Sequence, residues 1–116
     1  MVAIFEFNRK RCFSLEEARE LLPLVKRITD EAVLQVERLK NHIEEIDPAP
    51  SQRSYYEQEL ETIVEKWTQK ITKLGCEPKG PWLVNFDNGE GYYCWNHSED
   101  DVEFFNAYNM ETGAPR

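Results

Sequence analysis

The sequence predicts an α+β fold: a long antiparallel two-helix hairpin, coiled-coil-like in its spacing, packed with a small three- to four-stranded antiparallel sheet. Three observations carry this expectation. Apolar residues recur at alternating steps of three and four from Leu15 to Ile46, a proline-rich break at Asp47-Pro48-Ala49-Pro50 precedes a second helical pattern, and the period changes to two after Pro81. With 116 residues the chain has the length of one ordinary domain. Residues 1–116 are therefore read as a single unit, with the hairpin over about 14–75 and the sheet over about 82–108.

The first helix starts at Phe13-Ser14-Leu15-Glu16-Glu17. Ser14 can accept from the Glu17 amide while the Glu17 carboxylate reaches back to the Ser14 amide, which is a capping box. From there Leu15, Ala18, Leu22, Val25, Thr29, Ala32, Val36, Leu39, Ile43 and Ile46 form an unbroken seam with coiled-coil spacing. At the α-helical rise such a helix is roughly 45 Å long, so it needs a partner along its length. Pro23 lies inside the pattern and predicts a bend near Arg19 rather than a break. Leu21, Leu24 and Ile28 widen the stripe there, so this half of the helix should face a second neighbour, for which the sheet is the natural choice.

Pro48 and Pro50 stop the first helix, because each pushes the preceding residue out of helical geometry. The second helix is expected to start at Ser51, or at a second capping box from Ser54 to Glu57, with Tyr56, Leu60, Ile63, Trp67, Ile71 and Leu74 as its apolar face. Lys73 and Gly75 mark its end. Trp82 to Phe86, the turn Asp87-Asn88-Gly89 and Gly91 to Trp95 read as a β-hairpin, and Val102 to Phe105 as a third strand. Val2 to Phe7 also alternates and is a candidate fourth strand on an edge.

The formal charge of -8 is unevenly placed: after Pro81 the acidic residues are opposed only by Arg116. Such a surface repels phosphate backbones and anionic headgroups, so neither nucleic acid nor membrane is an expected partner. Arg9-Lys10-Arg11 is a short basic run, read as a solvated turn or an internal partner of the acidic third, with a phosphate contact as the alternative. The opening Met1 to Phe7 lacks the pattern of a secretory signal, and Cys12, Cys76 and Cys94 are an odd number without a CxxC pair. Reduced thiols in the cytoplasm are the expectation.

Several of these motifs together resemble a bacterial family known as domain-of-unknown-function family 2203. Phe13-Ser14-Leu15-Glu16-Glu17-Ala18 with Leu21-Leu22-Pro23 looks like the family's opening F-[ST]-L-E-E-A-N-x-L-L-P. Leu83-Val84-Asn85-Phe86 is similar to its L-V-D-F, Cys94-Trp95 with Glu99 to its C-W-x-x-G-E, and Phe104-Phe105-Asn106 stands where it has F-W-H. Asn85, Asn106, Arg19 and Ala114 depart from the family's Asp, His, Asn and Arg. The resemblance supports the fold and implies no assigned activity. If that Asp and His formed an acid/base or metal-binding pair, two amides replace it here, and an amide does not exchange protons near neutrality.

Cys94, His97, Glu99, Asp100 and Asp101 lie close in sequence, yet their spacing is not that of a zinc site or a calcium loop. Cys94 with His97 or His42 has a nucleophile and a base, but no orienting third residue or oxyanion hole. No catalytic residue, metal ligand or cofactor is assigned. The aromatics Trp82, Phe86, Tyr92, Tyr93, Trp95, Phe104, Phe105 and Tyr108 exceed what one face of a small sheet buries, which is read either as one face packed on the helices with aromatic pairs stabilising the sheet across strands, or as an interface on the other face. The leading expectation is a non-catalytic, self-associating or partner-binding protein, forming a homodimer or other homo-oligomer. The alternative is a small ligand- or metal-binding protein or enzyme with a pocket between sheet and hairpin, lined by Glu17, Trp95, Glu99, Phe105 and Asn106.

Overall fold

A computed structural model describes residues 12–105. Helix α1 runs from Leu15–Ile46, 32 residues without interruption at Pro23. Its first turn holds the expected capping box, with the Glu17 amide donating to Ser14 Oγ and the Ser14 amide to Glu17 Oε1, both at 3.0 Å. Asp47 ends the helix in left-handed geometry, φ 45°, and its carboxylate pairs with Arg53 at 3.0 Å across the loop.

Helix α2 spans Pro50–Lys73, so it starts before both serines that the capping signal favoured. Proline at the first helical position has no amide to leave unsatisfied and a φ already suited to the helix, and that preference wins here. Ala49 is the capping residue, and its amide donates to Gln52 Oε1 at 3.2 Å.

The sheet is an antiparallel meander of β1 (Glu77–Pro78), β2 (Leu83–Asp87), β3 (Tyr92–Asn96) and β4 (Glu103–Phe105), paired in that order. Its fourth member is the two-residue β1, directly after α2. The candidate strand at Val2 to Phe7 lies outside the described residues. The β2–β3 turn closes around Asn88, whose amide donates to the Gly91 carbonyl at 3.0 Å and whose Oδ1 accepts from the Gly91 and Glu90 amides at 2.7 and 2.8 Å. Gly89 takes φ 94° in this turn, which glycine adopts without Cβ strain.

Strand alternation sends Val84, Phe86 and Trp95 to one face, all 0–1% exposed, where they join Phe13, Ala18, Leu22, Val25, Trp67 and Ile71 in the core. Phe13 is pinned there by its amide on the Asp87 carbonyl at 2.7 Å and by an edge-on contact with Phe86. Between the helices, Trp67 Nε1 donates to Thr29 Oγ1 at 2.8 Å, both residues buried.

The buried apolar core lies at one end of the hairpin, although Pro48 in the loop at the far end is also buried. The buried α1 residues run from Ala18 to Ala32, and those of α2 are Trp67 and Ile71. Farther along the seam Val36, Leu39 and Ile43 are only half-buried and Ile46 is 42% exposed. No helix among the described residues is long and apolar enough to cross a membrane.

Replacing Thr29 by Val strands the buried Trp67 N–H and should cost about 1–3 kcal/mol in urea denaturation. Adding Trp67→Phe removes the stranded donor. The double variant is expected to lose less than the sum of the single losses, by roughly 0.5–1.5 kcal/mol.

Candidate functional site

The acidic turn between β3 and β4 is fastened to α1 by side chains seven and four residues apart on that helix. Arg19 forks onto Asp101, with Nε and Nη2 at 3.2 and 3.0 Å from Oδ2. One helical repeat on, Lys26 Nζ donates to the Asp100 carbonyl at 2.6 Å, and Asp30 Oδ1 lies 2.9 Å from His97 Nε2. Val102, between these contacts and β4, is buried in the core. Arg19 and the Val102 amide hold the Asp101 carboxyl below the usual carboxylate range.

The turn is also built from within. Trp95 Nε1 donates to the Glu99 carbonyl at 2.8 Å, the Glu99 amide donates to the Asn96 carbonyl at 2.8 Å, and Glu99 Oε1 accepts from the Asn96 amide at 3.2 Å. Trp95 and Glu99 are therefore brought together, as the alternative reading required, yet not as the walls of a pocket. Trp95 is 1% exposed with its ring in the core, and Glu99 closes the turn that satisfies its indole. Glu17 is engaged in capping α1, the backbone of Phe105 ends β4, and Asn106 lies outside the described residues. Two depressions in the surface are each walled by one helix turn, one by Leu15, Glu16, Arg19 and Glu20, the other by Leu60, Glu61, Val64 and Glu65, and both are wide open.

The thiol–imidazole pair is not poised for nucleophilic chemistry. His97 directs Nε2 to Asp30, and burial, reinforced by Glu103 and Glu99, pushes the Cys94 thiol up to about 11. A nucleophilic cysteine needs the opposite displacement. Among the described residues no group of three His, Cys, Asp or Glu side chains is placed to hold a metal ion.

The opposite sheet face holds a different arrangement. Register places Glu77, Asn85, Cys94 and Glu103 in one row across the strands, on the side away from Val84 and Phe86. Asn85 is 7% exposed, and its Oδ1 is fully buried with no hydrogen-bond partner. The sequence marked Asn85 only as a departure from a motif. Its burial, on the sheet face away from Val84 and Phe86, is a tertiary property that single-strand alternation does not reveal. Arg19, Lys26 and Asp30 were missed for the same reason, since their partners are at least 67 residues away.

A family model described as "Uncharacterized conserved protein (DUF2203)" matches residues 11–113. No curated protein and no solved structure matches the chain.

Two outcomes follow from the charges. Asp101 has a lowered value in the folded chain, so its contact with Arg19 should persist as pH falls through the ordinary carboxylate range and fail only below it; carbon-detected NMR of the Asp101 carboxyl should show this, and Arg19→Ala should return the midpoint upward. For Cys94, the smaller thiolate fraction outweighs the greater nucleophilicity of a high-pKa sulfur. Peptide-resolved alkylation at pH 8 should be slower at Cys94 than at a free cysteine by roughly tenfold or more.

Proposed function

The chain belongs to the DUF2203 family of uncharacterised conserved proteins, and we propose that it acts as a non-catalytic assembly protein, associating with a second copy through the distal half of its helical hairpin. The observation that carries this reading is the burial gradient along the seam. The sheet covers only the end of the hairpin that contains Ala18 to Ala32, Trp67 and Ile71. Beyond it the same heptad spacing continues through Val36, Leu39, Ile43 and Ile46, opposite Tyr56, Leu60 and Ile63; none of these is fully buried and Ile46 is exposed. Two helices cover one side of each other's stripe, and a second pair covers the rest. Completing the burial of one Leu or Ile adds on the order of 1 kcal/mol, so a handful of such positions can hold a dimer at micromolar concentration.

The polar rim shapes the conditions under which this works. Residues 33–64 carry Glu37, Glu44, Glu45, Asp47, Glu57, Glu59 and Glu61 against Arg38, Lys40 and Arg53. Two copies therefore repel through their rims while their seams attract, and salt screens the repulsion. An acidic chain whose Cys12, Cys76 and Cys94 form no disulfide suits the cytoplasm and argues against nucleic-acid partners.

Sedimentation equilibrium at micromolar concentration should show a dimer that tightens as sodium chloride rises from 50 to about 300 mM. Ile46→Lys combined with Val64→Lys should give a monomer with the circular dichroism of the parent. A parent protein that stays monomeric throughout this range, with full helicity, overturns the proposal.

A further inference from the structure

One line of side chains on α2 passes from the core into the open. Leu60, Val64, Trp67 and Ile71 follow at steps of four, three and four, so they share a face of the helix. Trp67 and Ile71 are buried in one core with Val84, Phe86 and Trp95 of the sheet, whereas Leu60 and Val64 are half-buried and wall an open depression with Glu61 and Glu65. On α1 the buried Val25, Thr29 and Ala32 lead in the same way to half-buried Val36 and Ile43. The sheet is thus a second layer over one half of the hairpin, and it ends in a step. Among the described residues, the side-chain tether on α1 nearest that step is Asp30 to His97.

A second hairpin laid on the uncovered face occupies the same layer as the sheet, because helices and sheets both pack at about 10 Å. Two-fold symmetry then leaves two orientations along the helix axes. With the hairpins parallel, each sheet stands where the other copy's sheet-bearing half must lie, so the layers collide before the distal faces meet. With the hairpins antiparallel, each tip enters the step beside the other copy's sheet, and the distal faces meet along their length. Charge selects the same orientation. The tip carries Glu44, Glu45, Asp47 and Glu57 against Arg53. A parallel pair sets these acids against their own copies. An antiparallel pair separates the tips by the length of residues 50–64, roughly 20 Å at the helical rise, which is more than about two Debye lengths at 0.15 M salt. Only the middle stretches of the two rims still repel, so added salt continues to tighten the pair.

We propose that the second copy docks antiparallel, with the tip of each hairpin, Ile46 to Pro50, seated in the step at the His97 end of the other copy's sheet. This rests on the assembly reading above and gives its geometry. The docking surface is the face of Val36, Ile43, Leu60 and Val64, and the sheets lie at opposite ends of a four-helix core. Each copy fills the step that the other leaves open, so the assembly closes at two copies and does not extend into a filament.

The test uses the full chain carrying Cys12→Ser and Cys94→Ala, with a nitroxide label on Thr72→Cys, an exposed site in the last turn of α2. Cys76 stays in the core, and the same chain without Thr72→Cys is the control. Thr72 lies about 22 Å along the helix from the midpoint of residues 50–64, so pulsed dipolar spectroscopy should give roughly 45 Å between labels in the antiparallel dimer and about 20 Å or less in a parallel one. Separately, Ala49→Cys places a thiol on the exposed tip. Mild oxidation should leave it free of intermolecular disulfide in the antiparallel dimer and cross-link it readily in a parallel one. A dimer by sedimentation with the long distance and no tip cross-link is the expected result. A dimer with the short distance or a tip cross-link overturns the antiparallel docking and leaves the assembly reading standing. A chain that sediments as a monomer and shows no dipolar coupling overturns both.

Discussion

The bond from Trp67 Nε1 to Thr29 Oγ1 fixes how the two helices sit, and much else follows from it. Thr29 occupies a seam position flanked by Val25 and Ala32, where an aliphatic side chain would pack without direction. A hydroxyl in a dry interface has a partner or carries a cost, so sliding one helix past the other breaks a bond as well as a packing arrangement. Trp67 in turn stands edge-on to Trp82, with ring centroids 5.1 Å apart. Through Trp82 the register reaches the sheet, because the Trp82 carbonyl receives the His97 amide at 3.1 Å and His97 meets Asp30 on α1. One buried polar contact thereby sets the helix pair, the entry to β2 and the exit from β3.

Anchoring the sheet at this end gives the hairpin its unequal halves. The inner sheet face, with Val84, Phe86 and Trp95, is wide enough to cover the helix turns from Ala18 to Ala32 and not the remainder. The β3–β4 turn extends that cover with polar contacts to Arg19, Lys26 and Asp30, which lie along the same stretch of α1. Both kinds of contact end before Val33. The seam continues past that limit because heptad spacing is a property of the helix, whereas burial is a property of what lies against it.

What the sequence made legible was local. Ser14 with Glu17, the heptad spacing, and the Asp87 to Gly91 turn each involve residues a few positions apart, and all formed as their chemistry dictates. The start of α2 was placed late because two serine signals competed with a proline whose preference acts through backbone geometry alone. Strand β1 escaped notice because Glu77 and Pro78 are too few to alternate. For the site, the sequence offered Trp95 and Glu99 as lining of a pocket, and it did not show that an indole–carbonyl bond joins them. An indole N–H in the core must find an acceptor, and the turn that supplies it is held shut by the Glu99 carboxylate.

The acidity of the C-terminal third can be divided on this basis. Asp101 and the Asp100 carbonyl are committed to α1, and Glu99 to its own turn, so these groups join parts of one chain. Glu103 has a different position: it is exposed at the end of the row that contains the unpartnered Asn85 oxygen. A carboxylate beside an ordinary exposed thiol would need no explanation. Beside the half-buried Cys94 thiol it adds to the effect of burial in raising that group's pKa, as Glu99 does. The acidity of the C-terminal third is therefore divided between groups that fasten the turn to α1 and Glu103, which stands exposed on the edge strand β4.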